Sequence, residues 1–242
     1  MSFNIAIDGP AGAGKSTIAK RAAKELSFIY VDTGAMYRAI ALGLLRRGTD
    51  IEDEAALSAA LDETEVGIRY VDGEQHVYLN GEDVSSLIRT EKVSDMTSRS
   101  SAIPVVRAKL TDLQRDLARR EDVLMDGRDI GTTILPDADL KIYLTASVET
   151  RAKRRYLEQV QKGETCSLEE IEKDICERDY RDSHRETAPL RQAEDAVRMD
   201  SSDMTIEEVV AEILRLVKER RAQTSCIFGE HREADGSQDF LS

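Results

Sequence analysis

One short run near the N-terminus constrains this chain more than any other feature. Residues 9–16 read G-P-A-G-A-G-K-S and match the pattern G-x-x-x-x-G-K-[ST] at every fixed position. An apolar segment precedes the run at residues 3–7, and a segment with helical periodicity follows at residues 15–26. Strand, glycine-rich turn and helix in this order predict a loop that surrounds an anion with backbone N–H groups. We name residues 9–16 the phosphate loop; its context disfavours a glycine-rich turn without function.

The phosphate loop predicts a site for a nucleoside triphosphate with Mg²⁺. The Lys15 ammonium can reach the transferred phosphates, and the Ser16 hydroxyl can bind the metal ion. Asp126 ends a later apolar segment, like the strand-end acid that helps to hold Mg²⁺ in such sites, so Ser16 and Asp126 are the predicted metal ligands. The predicted ATP-binding residues are Gly9, Pro10, Ala11, Gly12, Ala13, Gly14, Lys15, Ser16 and Thr17.

Strand and helix patterns alternate along most of the chain. Such alternation predicts an α/β fold with a parallel sheet covered by helices, here a three-layer core built around the phosphate loop. The predicted strands are residues 3–7, 28–31, 123–125, 140–144 and 197–199, and the predicted helices are residues 15–26, 34–47, 104–120, 147–161 and 167–181, with a final helix opening at Thr205.

The spacing of apolar residues changes to a period of 2 between the predicted helices at residues 34–47 and 104–120. Val66, Ile68 and Tyr70 alternate with polar residues, and the dipeptide at residues 72–73, Asp-Gly, supplies a turn before the alternation returns. A hairpin of this kind does not belong inside a parallel sheet, so residues 62–96 are predicted to form a small β-rich inserted lobe. An antiparallel edge on the main sheet is the alternative.

The chain is therefore expected to have a core, an insertion and a lid. Past Arg221 the sequence is polar and aperiodic, so a disordered tail is predicted there. The predicted division is a core of residues 1–61, 97–150 and 186–220, an inserted acceptor-binding lobe of residues 62–96, a helical lid of residues 151–185 and a tail of residues 221–242.

Arginines are concentrated on the two predicted lid helices. Arg151, Arg154 and Arg155 are spaced i, i+3, i+4, so one helix face is expected to present three guanidiniums together. Arg178, Arg181 and Arg185 recur at similar spacing on the next helix. Guanidinium groups grip phosphate oxygens bidentately, so the two sets favour a lid that closes over phosphates, whereas a solvated, salt-bridged surface is the alternative.

Charge and composition exclude several classes of protein. The chain of 242 residues has 34 Lys+Arg against 47 Asp+Glu, a net charge of −13, and only 5% aromatic residues, which disfavours a nucleic-acid-acting ATPase. It has neither a long apolar run nor a basic-then-apolar N-terminus, so no membrane partner and a cytoplasmic location are expected. Three cysteines without C-x-x-C spacing indicate free thiols. Nothing demands a dimer, so a monomer is expected.

Other phosphate-loop classes lack their motifs here. The sequence has no N-K-x-D stretch of the kind that GTPases use for guanine, and no L-S-G-G-Q stretch of the transporter ATPases. A small-molecule kinase needs an acceptor clamp and mobile arginines, and residues 126–132, Asp-Gly-Arg-Asp-Ile-Gly-Thr, follow a predicted buried strand at the ligand edge of the sheet. A charged connecting loop without function is the alternative for this segment.

At these residues the chain resembles the bacterial cytidylate kinase family of nucleoside monophosphate kinases. The resemblance runs from Ile5 to about Lys218 and includes several motifs in order. They are residues 9–17, the Asp-Thr-Gly-Ala-Met-Tyr-Arg stretch at 32–38, the Pro-Val-Val-Arg stretch at 104–107, residues 126–132, and the Glu-Arg-Asp-Tyr-Arg-Asp stretch at 177–182 with Ala-Pro-Leu at 188–190. The resemblance implies ATP-dependent phosphorylation of CMP and dCMP to CDP and dCDP, within pyrimidine nucleotide metabolism.

The resemblance also implies roles for individual side chains. Ser98, Arg107 and Asp129 would face cytosine, and Arg178 and Asp182 would hold the ribose. Thr33 and Ala11 stand where many relatives carry Ser; the first keeps a hydroxyl and the second lacks one. The phosphate of CMP would be held by Arg38 and Arg128 with help from Arg185 and with Tyr37 nearby, and the predicted catalytic residues are Lys15, Arg128, Arg151 and Arg155.

Base chemistry agrees with this assignment. A carboxylate such as Asp129 can accept from the exocyclic amine of cytosine, and Arg107 can donate to its acceptors. Uracil reverses the first two groups, and each unpaired buried polar group costs about 1–3 kcal/mol, so UMP is expected to be disfavoured about tenfold or more.

Two alternatives to a cytidylate kinase stay open from the sequence. One is a kinase for another small acceptor, such as AMP, UMP or shikimate, which only the acceptor pocket would separate. The other is a regulatory phosphate-loop module that binds nucleotide without a second substrate.

Overall fold

Eight strands form two separate sheets in the computed structural model, which describes residues 2–161, 163 and 165–233. The main sheet has five parallel strands in the order β2-β6-β1-β7-β8, and the small sheet has three antiparallel strands in the order β3-β4-β5. The strands are β1 (Asn4–Asp8), β2 (Ile29–Asp32), β3 (Val66–Val71), β4 (Glu74–Leu79), β5 (Glu82–Asp83), β6 (Val123–Gly127), β7 (Leu140–Thr145) and β8 (Val197–Asp200).

Helices cover both faces of the main sheet. On one face, the buried Met36, Ile40 and Leu110 pack against the sheet, and on the other the buried Ile18 and Ile213 do so, which yields the predicted three layers. The helices are α1 (Lys15–Leu26), α2 (Thr33–Arg47), α3 (Glu54–Asp62), α4 (Glu91–Ser100), α5 (Pro104–Arg120), α6 (Val148–Gln161), α7 (Leu168–His184) and α8 (Ile206–Glu233), with a single π-helical turn at Ile130–Ile134.

The register of the sheet gathers three carboxylates at one edge. Asp32 is the register partner of Asp126 across β2 and β6, while Asp8 ends β1 opposite Gly127. The carboxyl ends of parallel strands are where open α/β sheets bind ligands. The phosphate loop follows β1 at this edge, so the fold places it beside Asp126.

The small sheet is separate from the main sheet, as predicted for residues 62–96, and the alternative of an antiparallel edge is wrong. Strands β3 and β4 pair from Val66 opposite Leu79 to Val71 opposite Glu74. Gln75 docks this sheet on the edge of β2, because its side chain accepts from Asp32 N at 2.8 Å and donates to Asp32 O at 3.2 Å. Helix α4 extends past residue 96, so the helix belongs to both the predicted lobe and the predicted core. The division into core, lobe and lid stays a prediction.

Helix α8 is longer than the sequence predicted. Residues 221–233 were expected to be disordered, but α8 continues to Glu233, while residues 234–242 of the predicted tail lie outside the described residues. The guanidinium of Arg221 lies 5.1 Å from the ring centroid of Phe3 and 5.2 Å from that of Phe28, which holds this part of the helix against the core. Within the described residues, none of the helices has the length and hydrophobicity to span a bilayer.

Candidate active site

The phosphate loop has the backbone conformation that its glycines permit. A Cβ atom at Gly9 would lie 1.9 Å from the carbonyl oxygen of Leu144, so the loop can pass the end of β7 only without a side chain there. Gly14 adopts a φ of 85° as the residue that precedes α1, a conformation that favours glycine. Lys15 follows at the first position of α1 and is buried, and its Nζ donates to Pro10 O at 2.8 Å. The loop therefore curls over its own lysine.

Asp126 receives hydrogen bonds from both sides. Ser16 Oγ donates to Asp126 Oδ2 at 2.9 Å, and Tyr30 OH donates to Asp126 Oδ1 at 3.0 Å. Burial raises the pKa of the Asp126 carboxyl and lowers the pKa of the Lys15 ammonium, because each charge is removed from water. The two opposite charges lower each other's cost of burial, so we regard the ionised pair as the working state of the site.

Ser16 and Asp126 have the oxygen atoms that a magnesium site needs. Mg²⁺ prefers hard oxygen ligands and in nucleotide sites uses one or two protein groups, with phosphates and water for the rest. The hydroxyl and the carboxylate are already within hydrogen-bond distance of each other, so both can contact one ion. The described residues contain no cluster of three or more His, Cys, Asp or Glu side chains suited to a metal.

The acceptor side is built around a carboxylate between two guanidiniums. Arg107 donates to Asp129 Oδ2, and Arg185 Nη2 lies 3.3 Å from Asp129 Oδ1. All three side chains are at most 8% exposed. Burial raises the pKa of Asp129, and the two arginines oppose that rise. The Arg107 guanidinium also lies 5.6 Å from the ring centroid of Tyr37.

A second ion pair, partly buried, involves the residue next to Asp129 in the chain. Arg128 Nε donates to Asp182 Oδ2 at 2.9 Å and so joins the loop after β6 to helix α7. Burial disfavours the charged carboxylate, but Arg128 and Arg178 outweigh it, and the pKa of Asp182 lies below its ordinary value. Burial, together with the like charge of Arg128, lowers the pKa of Arg178 to about 10. The site therefore carries more positive charge than its own carboxylates neutralise.

Three buried polar atoms of the predicted acceptor-binding residues have no hydrogen-bond partner among the described residues. They are Ser98 Oγ, Tyr37 OH and Arg178 Nε. Buried polar atoms in folded proteins nearly always have hydrogen-bond partners, so unpaired ones need an explanation. Three such atoms on side chains predicted to line the acceptor site indicate a polar ligand.

Two further predicted acceptor residues also have protein partners. Thr33 Oγ1 donates to Asp126 O at 2.7 Å, which connects the start of α2 to the end of β6. Arg38 Nη1 donates to Ser94 Oγ at 2.6 Å and to Ile88 O at 3.3 Å. Arg38 therefore connects α2, to which it belongs, with α4 and the segment before it.

The three arginines of the first predicted lid helix have different hydrogen-bond partners. Arg151 is buried and makes three contacts, to Ala146 O at 2.9 Å, to Ala11 O at 2.9 Å and to Asp179 Oδ2 at 2.7 Å. Arg154 Nη2 donates to Ser201 O at 2.6 Å beyond the end of β8. Among the described residues, Arg155 has no hydrogen-bond or ion-pair partner. The three residues lie on one face of α6, as the spacing predicted, but their guanidiniums are not presented together, because the long flexible stem of arginine lets each head group find a different partner.

Sequence reasoning missed three polar side chains at this site. Tyr30 contacts Asp126 as described above, Asp8 accepts from the backbone of the turn after β6, and Arg115 donates to the end of that turn. The position of Asp8 at the end of the strand before the phosphate loop is a signal in the sequence. Tyr30 and Arg115 have no comparable local signal.

The chain is similar to known proteins over most of its length. A family model described as Cytidylate kinase matches residues 5–219. A protein named Cytidylate kinase from Lactobacillus johnsonii is 50% identical over 90% of this chain and 95% of its own length. Another of that name from Caldicellulosiruptor saccharolyticus is 52% identical over 88% of this chain and 95% of its own. A solved shikimate kinase from Acinetobacter baumannii is 17% identical, with a TM-score of 0.45, over 90% of this chain and 94% of that one.

Proposed function

The chain belongs to the cytidylate kinase family, and from this premise we propose that it transfers the γ-phosphoryl group of ATP to CMP or dCMP. The products are ADP and CDP or dCDP. The observation that carries the proposal is the buried Arg107–Asp129 pair. Ser98 Oγ, which is also predicted to face the base, is buried without a hydrogen-bond partner. A carboxylate with a neighbouring guanidinium offers one acceptor and several donors, which complement the amine, ring nitrogen and carbonyl of cytosine. Uracil presents a carbonyl where the carboxylate needs a donor, so UMP is the poorer acceptor.

The surrounding charges fit the phosphate and ribose of the acceptor. Arg38 and Arg128 are assigned to the 5′-phosphate, with help from Arg185, whose Nη2 lies 3.3 Å from Asp129 Oδ1. Arg178 and Asp182 lie together on α7 and are assigned to the ribose hydroxyls. A carboxylate and a guanidinium suit a sugar edge that both donates and accepts hydrogen bonds.

The transfer requires charge neutralisation more than proton removal. An oxygen of the acceptor phosphate, ionised at neutral pH, attacks the γ-phosphorus, and the bond from that phosphorus to the bridging β–γ oxygen breaks, so ADP leaves with the electron pair. Lys15 and the acceptor-side arginines offset the negative charges that two phosphate groups bring together. No general base is required. Closure of the helical lid would bring Arg155 toward the transferred group and exclude water.

Mg²⁺ is the metal that we assign to Ser16 and Asp126. When bound, it neutralises phosphate charge and orients the triphosphate. In this chain, Tyr30 keeps the Asp126 carboxylate oriented and the backbone of the phosphate loop holds the rest of the polyphosphate. A monomeric state and a cytoplasmic location stay predictions.

A panel of acceptors tests the proposal. ADP production from ATP with Mg²⁺ is measured with CMP, dCMP, UMP, AMP and GMP supplied one at a time. We expect a strong rate with CMP or dCMP, a rate with UMP lower by about tenfold or more, and no turnover of AMP or GMP. A preference for AMP or GMP would overturn the acceptor assignment. ATP binding without any dependence on a monophosphate would favour the regulatory module.

A further inference from the structure

Asp8 is a buried carboxylate to which the proposed reaction assigns no role. It is the last residue of β1, immediately before the phosphate loop, and it is 5% exposed. Its Oδ1 accepts from Ile130 N at 2.8 Å, and its Oδ2 accepts from Gly131 N at 2.7 Å. One side chain therefore joins the strand that leads into the ATP site to a segment more than 100 positions later.

That segment carries two of the predicted acceptor-binding residues. We name residues 127–134 the acceptor loop; it contains Arg128 and Asp129 and ends in the π-helical turn Ile130–Ile134. The turn is closed by hydrogen bonds from Thr133 N and Ile134 N to Asp129 O, at 2.9 and 3.3 Å. A single helical turn is not stable by itself, so it depends on contacts with the rest of the protein.

Asp8 and Arg115 bind the two ends of the π-helical turn in the acceptor loop. Asp8 accepts the first two N–H groups of the π-helical turn, which directly follow Asp129. Arg115 donates from Nη2 to Thr133 O at 2.9 Å and from Nε to Ile134 O at 3.1 Å. The orientation of Asp129 toward its ligand is therefore set by contacts from β1 and α5 together.

The contact of Asp8 with the acceptor loop is close and buried. A Cβ atom at Gly131 would lie 3.1 Å from Lys141 Cδ and 3.4 Å from Asp8 Oδ2, so the absence of a side chain at Gly131 allows the approach. Lys141 Nζ is itself paired with Asp195, at 2.8 Å, and its stem covers the contact. Burial raises the pKa of Asp8, and the two N–H donors oppose the rise. The carboxylate is thus surrounded by fixed partners.

We propose that Asp8 is a positioning residue for acceptor recognition: it holds the acceptor loop in register with the phosphate loop, so that Asp129 and Arg128 meet CMP beside the transferred phosphate. The inference rests on the proposed function. It assigns Asp8 no contact with substrate. Loss of Asp8 should therefore affect recognition of the base before it affects recognition of ATP.

The test compares Asp8→Asn and Asp8→Ala with a matched control. Asp53 is also a carboxylate that accepts two backbone N–H groups, from Ala55 and Ala56 at 3.0 Å each, but it caps α3. The readouts are kcat/KM for CMP and for UMP, KM for ATP, and the melting temperature. Asp8→Asn keeps one acceptor oxygen and should lower the CMP/UMP ratio about threefold, whereas Asp8→Ala should lower it about tenfold, with a larger rise in KM for CMP than for ATP.

The control separates positioning from stability. Asp53→Ala should lower the melting temperature, Asp53→Asn should change it little because Asn caps helices as well as Asp does, and both should leave the CMP/UMP ratio unchanged. If the Asp8 variants behave in the same way, or if KM rises more for ATP than for CMP, the inference is wrong. If Asp8→Ala does not fold, Asp8→Asn and Arg115→Lys decide, and both should lower the ratio. A wild-type enzyme that makes no ADP with CMP would overturn the proposed function and this inference with it, whereas normal wild-type turnover with unaltered ratios overturns only the inference.

Discussion

Arg107 donates a hydrogen bond to the carboxylate of Asp129, and both side chains are almost completely buried, with exposed fractions of 7% and 6%. Removing two charges from water is costly, and a well-packed apolar pair is often as stable as a buried ion pair. An apolar pair at these two positions would therefore stabilise the fold about as well. The value of the ion pair is that it presents an acceptor and several donors at one point, where the cytosine of CMP is proposed to bind.

Asp129→Asn should reduce base selectivity. The amide offers a donor where the carboxylate offers only acceptors, so it can pair with the carbonyl of uracil. We expect the CMP/UMP ratio of kcat/KM to fall about tenfold, with KM for ATP changed less than about twofold. Steady-state kinetics with both acceptors measure the ratio, and Ser98→Ala, which removes one hydroxyl, should have the smaller effect. An unchanged ratio would remove Asp129 from the proposed base site.

Lys15→Met should abolish most of the activity without loss of stability. The Lys15 ammonium is buried at the phosphate loop, and preorganised charge of this kind is worth about 100- to 1,000-fold in kcat. Because burial disfavours the charged form of Lys15, the variant should melt at or above the wild-type temperature. Lys24→Met, at an exposed position of the same helix, is the control and should change neither quantity. A fall in kcat of less than about tenfold would mean that the arginines, and not Lys15, supply most of the charge neutralisation.

Arg151→Ala should lower stability, whereas Arg155→Ala should lower kcat. Arg151 binds two carbonyls and Asp179, so its loss leaves buried polar groups unpaired and should lower the free energy of unfolding by about 2 kcal/mol, or the melting temperature by about 4–8 °C. Arg155 has no partner among the described residues, so its loss should leave stability unchanged and lower kcat about 10- to 100-fold. Thermal melts and kcat for the two variants check this pair. Equal effects on stability would contradict it.

Tyr30→Phe should weaken the response to Mg²⁺. The Tyr30 hydroxyl orients Asp126 through one hydrogen bond, and residues that orient a metal ligand affect metal affinity. We expect the Mg²⁺ concentration for half-maximal rate to rise about three- to tenfold, and the melting-temperature shift caused by ADP with Mg²⁺ to shrink. Tyr70→Phe is the matched control, because the Tyr70 hydroxyl donates to Tyr30 O at 2.9 Å and does not contact Asp126. The same change in both variants would argue against a role for the Tyr30 hydroxyl.

Asp8 should make stability depend on pH. Burial raises its pKa from 3.8 to about 6, so the folded protein binds this proton more tightly than the unfolded chain does. The stability from that proton is complete below about pH 4 and is lost as the pH rises through about 6. Relative to Asp8→Asn, the wild-type free energy of unfolding should therefore fall by about 3 kcal/mol between about pH 4 and pH 7. Urea unfolding at several pH values measures the difference, and a difference that is flat or rises with pH would contradict this assignment. Lys15 and Asp129, the charged groups that face Asp8, are present in both proteins.

Much of the fold could be predicted because its signals are local. Residues 104–120 and 15–26 were predicted as helices with the bounds that the structure shows, since Pro104 suits a first helical turn and Gly14 a helix start. The Thr205–Glu208 capping box is also present, with Glu208 N donating to Thr205 Oγ1 at 3.2 Å. Helix α3 was missed although Asp53 caps it, because its nine residues are too few for a clear period.

The sequence by itself determined the phosphate loop, the parallel α/β core and the antiparallel insertion, because spacing along the chain specifies a backbone conformation within a few residues. Only the tertiary structure decided which side chains meet: Tyr30 with Asp126, Arg151 with the carbonyl of Ala11, and Asp8 with the backbone of Ile130. These contacts join residues about 100 or more positions apart. Such pairs depend on strand order and register in the sheet, which helical or strand periodicity does not encode.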